Sequence, residues 1–536
     1  MNWLLNLLFG QQIARDTSTY LEQLSRASEE SNRQRTDRIL RGLQESHVTN
    51  IELGMTEWNT PVNLPLMELV QSCGILTGGM GSGKTTFALL IIQLLIALML
   101  PTVGFGIVDP KIELFYGALW LIKQRLDYLD KADPSAAEAL RRRVHIIDIS
   151  SRDPLCSYNI LARGKDIDPE FFALSRADLI MDLLGSDKLS LSGVGVLQRL
   201  LMLLAEFDLP VTWVSLVIRD SVLRRQLLTQ SKDGSLVQYF THHFEGTPKS
   251  TLAAIERRIE SLTASESVRL ALSGPSAPNL TQLQDESAIV LKNCFGEYIP
   301  RPVRCFWQGV FISDIRQSTF ARRQKDRPFF WICDESQNYF TSPRLRDNMH
   351  DLLTMSRSFG SFFLLLTQNM TTAVNDARLL KVLYTNIRWA FSMRGDPADC
   401  EFLAAALPLT GRRLKPRTSP FEEPGIYTPR EERALLLEDI ARLPDRKGYL
   451  WLKARNCDAF TMKTAELNMP RGKELEEAIQ PILQDATIGG RSHRADYERE
   501  ITERDARWIE RPPQALSESL TKAYRQKRAP SQKGDK

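Results

Sequence analysis

The residues best suited to chemistry lie in Gly78-Gly79-Met80-Gly81-Ser82-Gly83-Lys84-Thr85-Thr86, a match to the pattern G-x-x-x-x-G-K-[ST]. Each part has a physical task. Glycines let successive backbone N–H groups turn inward around phosphate oxygens, so Gly78, Gly79, Gly81, Ser82 and Gly83 form the cradle. Lys84 reaches the β- and γ-phosphates, Thr85 offers a hydroxyl to Mg²⁺, and Thr86 continues the same first helical turn. The apolar run from Ala88 to Leu100 follows, and a helix there directs its positive end at the bound anion. Taken alone the pattern could be a glycine-rich turn, but it sits between an apolar strand and an apolar helix, as phosphate binding requires.

Two further segments complement it. In Phe329-Phe330-Trp331-Ile332-Cys333-Asp334-Glu335 an apolar strand ends in two carboxylates. Asp334 is placed to hold a Mg²⁺-bound water and Glu335 to orient or deprotonate an attacking water. In Arg357-Ser-Phe-Gly360-Ser-Phe-Phe-Leu-Leu-Leu-Thr367-Gln368 an arginine and a glycine turn lead into a buried strand. Gln368 falls at the carboxyl edge of that strand, where ligands sit in open α/β sheets, and can sense the γ-phosphate or its water. ATP with Mg²⁺ is the implied ligand pair.

The elements that must position these residues can be read from alternation. Apolar runs at 74–77, 102–108, 144–149, 288–292, 329–333, 362–367, 387–391 and 448–452 alternate with helical stretches. This predicts an α/β fold with a parallel sheet flanked by helices. Between about 152 and 285 the alternation stops and helical patterns such as 196–207 and 251–263 take over, as in an inserted all-α domain. The predicted organisation is a helical arm over 1–54, an ATPase domain over 55–151 and 286–470, the insert over 152–285, and a charged tail over 471–536 whose composition reads as solvated.

Composition bounds the remainder. The chain has 536 residues, 43% hydrophobic and 25% charged, which excludes collagen-like, disordered and disulfide-scaffold classes. Lys+Arg of 69 against Asp+Glu of 65 leaves a net charge of only +4, so any nucleic-acid site must be local. Candidates are Arg141-Arg142-Arg143, Arg322-Arg323-Gln-Lys325-Asp-Arg327 and Arg412-Arg413-Leu-Lys415-Pro-Arg417, each of which could equally be a solvated face. Seven scattered cysteines without a C-x-x-C pair read as reduced thiols. The apolar start, Met1 to Phe9, is far too short to span a bilayer and reads as an ordinary packing helix or as a membrane-surface or partner-docking helix. The histidines, including His242-His243, lack metal-ligand spacing, and no Ser/His/Asp or Cys/His arrangement argues for a covalent nucleophile.

The order of these motifs resembles the FtsK/HerA superfamily of RecA-like DNA-pumping ATPases, and within it the conjugative coupling proteins of type IV secretion (TraG/TrwB-like). Asp109-Pro110-Lys111-Ile112-Glu113-Leu114 is similar to that family's D-P-K-G-E-L, with Ile112 in place of glycine. Ser157-Tyr158-Asn159-Ile160-Leu161 is similar to its Y-N-P-L, with Ile160 in place of proline. Arg357, Gly360 and Gln368 follow its R…G…Q pattern. The resemblance spans about residues 55–470. It implies a RecA-like P-loop ATPase domain with an inserted all-α domain, assembled as a homo-oligomer, usually a hexameric ring around DNA. It also implies an arginine supplied in trans to the γ-phosphate, with Arg357 at the matching position and Arg394 as the competitor.

The expected activity is ATP hydrolysis coupled to DNA translocation in conjugative transfer. Other secretion or relaxosome proteins would dock on the arm, insert or tail. Coupling proteins of this family carry transmembrane helices and this sequence shows none. That points to a cytoplasmic location, at the inner face of the bacterial inner membrane only through partners. Three alternatives remain: a secretion-assembly ATPase delivering protein, a HerA-like cytoplasmic translocase, and a nucleotide-gated docking platform.

Overall fold

A computed structural model describes residues 33–42, 50–98, 100–162, 169–184, 191–368, 377–407, 426–455 and 459–509, with isolated positions at 19, 23, 26, 30, 371, 374, 409, 415 and 425. Most of the N-terminal arm, the basic residues 412, 413 and 417, and the chain beyond 509 lie outside the described residues. The chain divides into two compact units: residues 1–144, 280–292 and 312–480 form the first, and residues 145–279, 293–311 and 481–536 the second.

The strands are β1 (Asn50–Thr56), β2 (Pro61–Pro65), β3 (Gly74–Thr77), β4 (Gly104–Asp109), β5 (Val144–Asp148), β6 (Ile289–Asn293), β7 (Phe329–Cys333), β8 (Ser361–Thr367), β9 (Trp389–Met393), β10 (Lys447–Leu452) and β11 (Phe460–Thr464). Within the first unit the order is β2-β1-β11-β10-β9-β3-β8-β7-β4-β6. Strands β9, β3, β8, β7 and β4 run parallel. Every residue of these five is buried. That is the pattern of a sheet covered by helices on both faces, and it explains why these runs are continuously apolar in the sequence. The α/β fold class expected from alternation is the one observed.

One side of the sheet differs from the sequence expectation. Strand β10 is antiparallel to β9, and β11, β1 and β2 extend the sheet further in antiparallel fashion. Burial alternates along β2 and β10, so one face of this wing is covered and the other is partly open. Alternating runs of five or six residues give a weak signal, and β1, β2 and β11 are not evident from the sequence.

Two helices seat the chemistry. Helix Lys84–Leu98 leaves directly from the glycine loop after β3 and is buried on most sides, Phe87 stacking on Phe391 with ring centres 4.8 Å apart. Helix Glu113–Ala132 begins after β4, and the buried Asp109 carboxylate accepts N–H bonds from Lys111 (2.7 Å) and Phe115 (2.8 Å), capping its start.

The second unit is mostly helical. Tyr158 packs edge-on to Trp307, ring centres 5.2 Å apart, and its backbone N–H donates to Ala271. Helix Arg494–Asp505 belongs to this unit: the Tyr497 hydroxyl donates to Leu270 O, Arg504 donates to Ser273 O and Gly274 O, and Trp508 packs on Phe207. These contacts come from isolated residues in a segment rich in charge. Among the described residues no helix is long and apolar enough to cross a membrane, and the six described cysteines are free thiols.

Candidate nucleotide site

Parallel strands place all their carboxyl ends on one edge, and the turns leaving β3, β4, β7 and β8 there carry the residues with chemistry. The loop after β3 is pinned on both sides: Gly78 N–H donates to Thr367 O and Gly79 N–H to Arg394 O. Gly83 holds φ +107°, where a side chain would be strained, and a Cβ on Gly78 would lie 2.5 Å from Ser82 Oγ. The loop therefore requires glycine for its conformation and its tightness. Gly81 stands exposed at its tip, Ser82 is buried and closes the loop by donating to Gly79 O, and Thr85 and Thr86 occupy the half-buried first turn of the following helix.

Lys84 is buried, its ammonium donating to the carbonyls of Gly78 and Gly79. Burial pulls its pKa below the ordinary lysine value, and the nearby Asp334 and Glu335 carboxylates partly offset this. Asp334 N–H donates to Val108 O, bringing the ends of β7 and β4 side by side and setting Asp334 beside Asp109. Burial, then the charges of Asp109 and Glu335, push the Asp334 carboxyl up to about 7, and burial raises that of Asp109 as well. Such a crowded, desolvated acid pair is a place where a divalent cation lowers the free energy.

Among the described residues no group of three His, Cys, Asp or Glu side chains is arranged to hold a metal. Mg²⁺ at nucleotide sites is bound through one or two carboxylates, hydroxyls, waters and phosphate oxygens rather than by a protein cage. Asp334 and Thr85 are the residues that would hold it.

Glu335 is the hub. Its carboxylate receives the Lys111 ammonium and the side-chain amides of Gln368 and Gln337, and Gln337 in turn accepts from the Thr367 hydroxyl at 3.0 Å. Lys84, Asp334, Glu335 and Gln368 are thus gathered at one edge. Arg357 is not among them. It sits exposed on the turn Ser356–Phe359 before β8, and seven residues of strand, roughly 23 Å at the usual rise, separate it from Gln368. Arg394 is at the nucleotide edge, but its side chain pairs with Asp445 at 2.7 Å in the same chain.

Three contributors are not assigned by sequence reasoning. Lys111 lies in a motif noted above without a role, Gln337 lies two residues beyond Glu335, and Arg446 N–H donates to Ser82 O from the turn before β10. Only Lys111 has a sequence signal, the D-P-K turn after an apolar strand. The basic clusters are largely spoken for. Arg141 pairs with Asp130 and Arg142 with Glu138, while Arg143 donates to Val103 O and Ser287 O. Arg322 is buried, with six acceptors around it, and is not available to a phosphate, while Arg323 and Lys325 of the same cluster are exposed; of the third cluster only Lys415 is described, paired with Glu431.

No protein-family model and no curated protein matches the sequence. Solved structures do. VirB4 of Thermoanaerobacter pseudethanolicus superposes with a TM-score of 0.50 at 12% identity, over 78% of this chain and 97% of that one. The bacterial conjugative coupling protein TrwB, residues 1–70 deleted, gives 0.49 at 13% identity over 80% and 92%, and TrwB in complex with ADP and Mg²⁺ gives 0.47 at 14% identity. The likeness to VirB4 bears on the fold alone, an α/β sheet of RecA-like architecture flanked by helices.

Proposed function

We propose that this chain is a Mg²⁺-dependent ATPase of type IV secretion that works as a head-to-tail ring and moves DNA in the manner of a coupling protein. The observation that carries the reading is the convergence of Lys84, Asp334, Glu335 and Gln368 on one sheet edge beneath a glycine loop. The motif order along the chain supports the coupling-protein kind, and the like-folded VirB4 supports a secretion ATPase.

In this reading loop N–H groups and Lys84 bind the β- and γ-phosphates, and Asp334 and Thr85 would hold Mg²⁺, which would supply charge neutralisation at the phosphoryl oxygens. Glu335 takes the proton of the attacking water, and Gln368, bonded to Glu335, orients that base and water. Arg357, remote from its own chain's site, is assigned to the neighbouring subunit's γ-phosphate. Such a finger accelerates hydrolysis by about 10³–10⁵ where it acts.

The test is ATP turnover by the full chain with and without single- and double-stranded DNA at low salt. Stimulation by DNA is expected. Turnover indifferent to DNA removes the translocase and leaves an ATPase that delivers protein or gates docking. Mixing Lys84→Ala with Arg357→Ala chains tests the ring, because each supplies what the other lacks and the mixture should regain activity that neither possesses alone.

A further inference from the structure

We propose that Lys111 is a γ-phosphate-sensing positioning residue, which holds Glu335 in check until a nucleoside triphosphate draws it away. The inference rests on the nucleotide reading above and extends it to a residue that reading leaves without a task.

The turn Asp109-Pro110-Lys111-Ile112 is built to present this side chain. Asp109, fully buried, accepts the Lys111 N–H and the Phe115 N–H, which fixes the turn from below. Ile112 then adopts φ +75°, a left-handed conformation that a β-branched residue accepts only when the surroundings impose it. Glu335, facing it, is also left-handed at φ +46°. Two strained non-glycine residues thus aim one ammonium at one carboxylate, and strain of this kind gathers where function fixes geometry.

The result is a carboxylate with three donors on it. Lys111 and Gln368 share one oxygen of Glu335 and Gln337 takes the other. With both oxygens taken up by donors, the carboxylate has no face turned to an attacking water. Lys111 is the donor best able to leave: its side chain is 42% exposed, and its charge also acts on both Lys84 and Asp334. It therefore borders the space that a γ-phosphate bound at Lys84 would enter. A γ-phosphate, carrying more charge than one carboxylate, competes for the Lys111 ammonium and frees Glu335 to face the attacking water. A diphosphate lacks the group that makes this exchange, so ADP leaves Glu335 held. The exchange swaps one ion pair for another and forms no covalent bond.

The test compares full-length wild type with Lys111→Met and Lys111→Arg, measuring affinity for ADP and for the non-hydrolysable imido analogue of ATP, each with Mg²⁺. Loss of one charge-assisted contact should weaken analogue binding by about tenfold in the Met variant while leaving ADP affinity unchanged, and Arg should restore most of the difference. Melting curves confirm that the variants are folded. An unchanged ratio of analogue to ADP affinity in Lys111→Met, or an equal loss of both, overturns the inference. Lys84→Ala separates the two levels: if it still binds both nucleotides as wild type does, the nucleotide reading itself fails, whereas if it loses both and the Lys111→Met ratio stays unchanged, only the role of Lys111 fails.

Discussion

The two edges of the parallel sheet in the first unit both bury charge, and they do so to opposite effect. At the amino edge Arg322, 3% exposed, donates to the carbonyls of Gly360, Gln284, Gln324 and Arg327, to Ser361 Oγ and to Asp285. Arg143 does the same on a smaller scale for Val103 and Ser287, just ahead of β4 and β6. Each guanidinium satisfies backbone groups that a strand start leaves over, so charge is buried with its partners. At the carboxyl edge Asp109, Asp334 and Glu335 are buried beside one another; Asp109 and Glu335 receive donors, but Asp334 is desolvated against the charges of the other two. The amino edge is arranged for stability. The carboxyl edge holds free energy in reserve for a cation and a phosphate.

Substitutions should therefore separate activity from stability according to the edge they strike. The largest effect is expected from Glu335→Gln, which keeps the shape of the hub and removes its ability to accept a proton. Turnover should fall by about 10²–10⁴, while the melting temperature of the nucleotide-free protein stays near wild type. Steady-state ATPase assays and thermal denaturation on the same preparations check both halves. A variant that turns over normally would show that Glu335 is not the base.

Next comes Arg322→Ala at the other edge. Removing the guanidinium strands several carbonyls and the Asp285 carboxylate, a change of about 3–5 kcal/mol for a buried, hydrogen-bonded charge. Chemical denaturation should report that loss, and the fraction that remains folded should bind nucleotide as before. Arg322→Lys, which restores the charge without the fork of donors, should fall between the two. If both variants are as stable as wild type, the amino edge does not have the role its geometry suggests.

These edges were unequally legible in the sequence. The parallel strands announced themselves because burial on both faces makes them continuously apolar, and the glycine loop and Asp334-Glu335 stand where such strands end. Arg322 and Arg143 were invisible as buried residues, since a run of basic side chains reads as a solvated face and only tertiary packing shows which member turns inward. Lys111 meets Glu335 from a separate turn, a meeting set by the register of β4 against β7 rather than by any local pattern, whereas Gln337 folds back on Glu335 within the turn that follows β7. The wing of β1, β2 and β11 escaped for a different reason: its strands are short and carry no continuous apolar run, and tertiary pairing rather than local propensity holds them.

The smallest and sharpest test of the comparison is Asp334→Asn. The Asp334 carboxyl is pushed up to about 7 by burial first and by Asp109 and Glu335 after it. In the unfolded chain it titrates near the ordinary aspartate value of about 3.9. Between those limits the folded protein holds a proton that the unfolded chain has released, so stability falls as the pH rises from about 4 to about 7. Asparagine cannot ionise. The variant, free of metal and nucleotide, should melt above wild type at pH 8, by an amount on the order of 1–3 kcal/mol, and should lose part of the slope between pH 5 and 8. Part of the slope should survive, because burial raises Asp109 and Asp148 in the same direction and both remain. The gain should come with loss of Mg²⁺-dependent nucleotide binding, measured by titration on the same sample. An Asn variant that melts below wild type at pH 8 would mean that the ionised Asp334 is satisfied in the folded chain, and the carboxyl edge would then be stabilised in the same way as the amino edge.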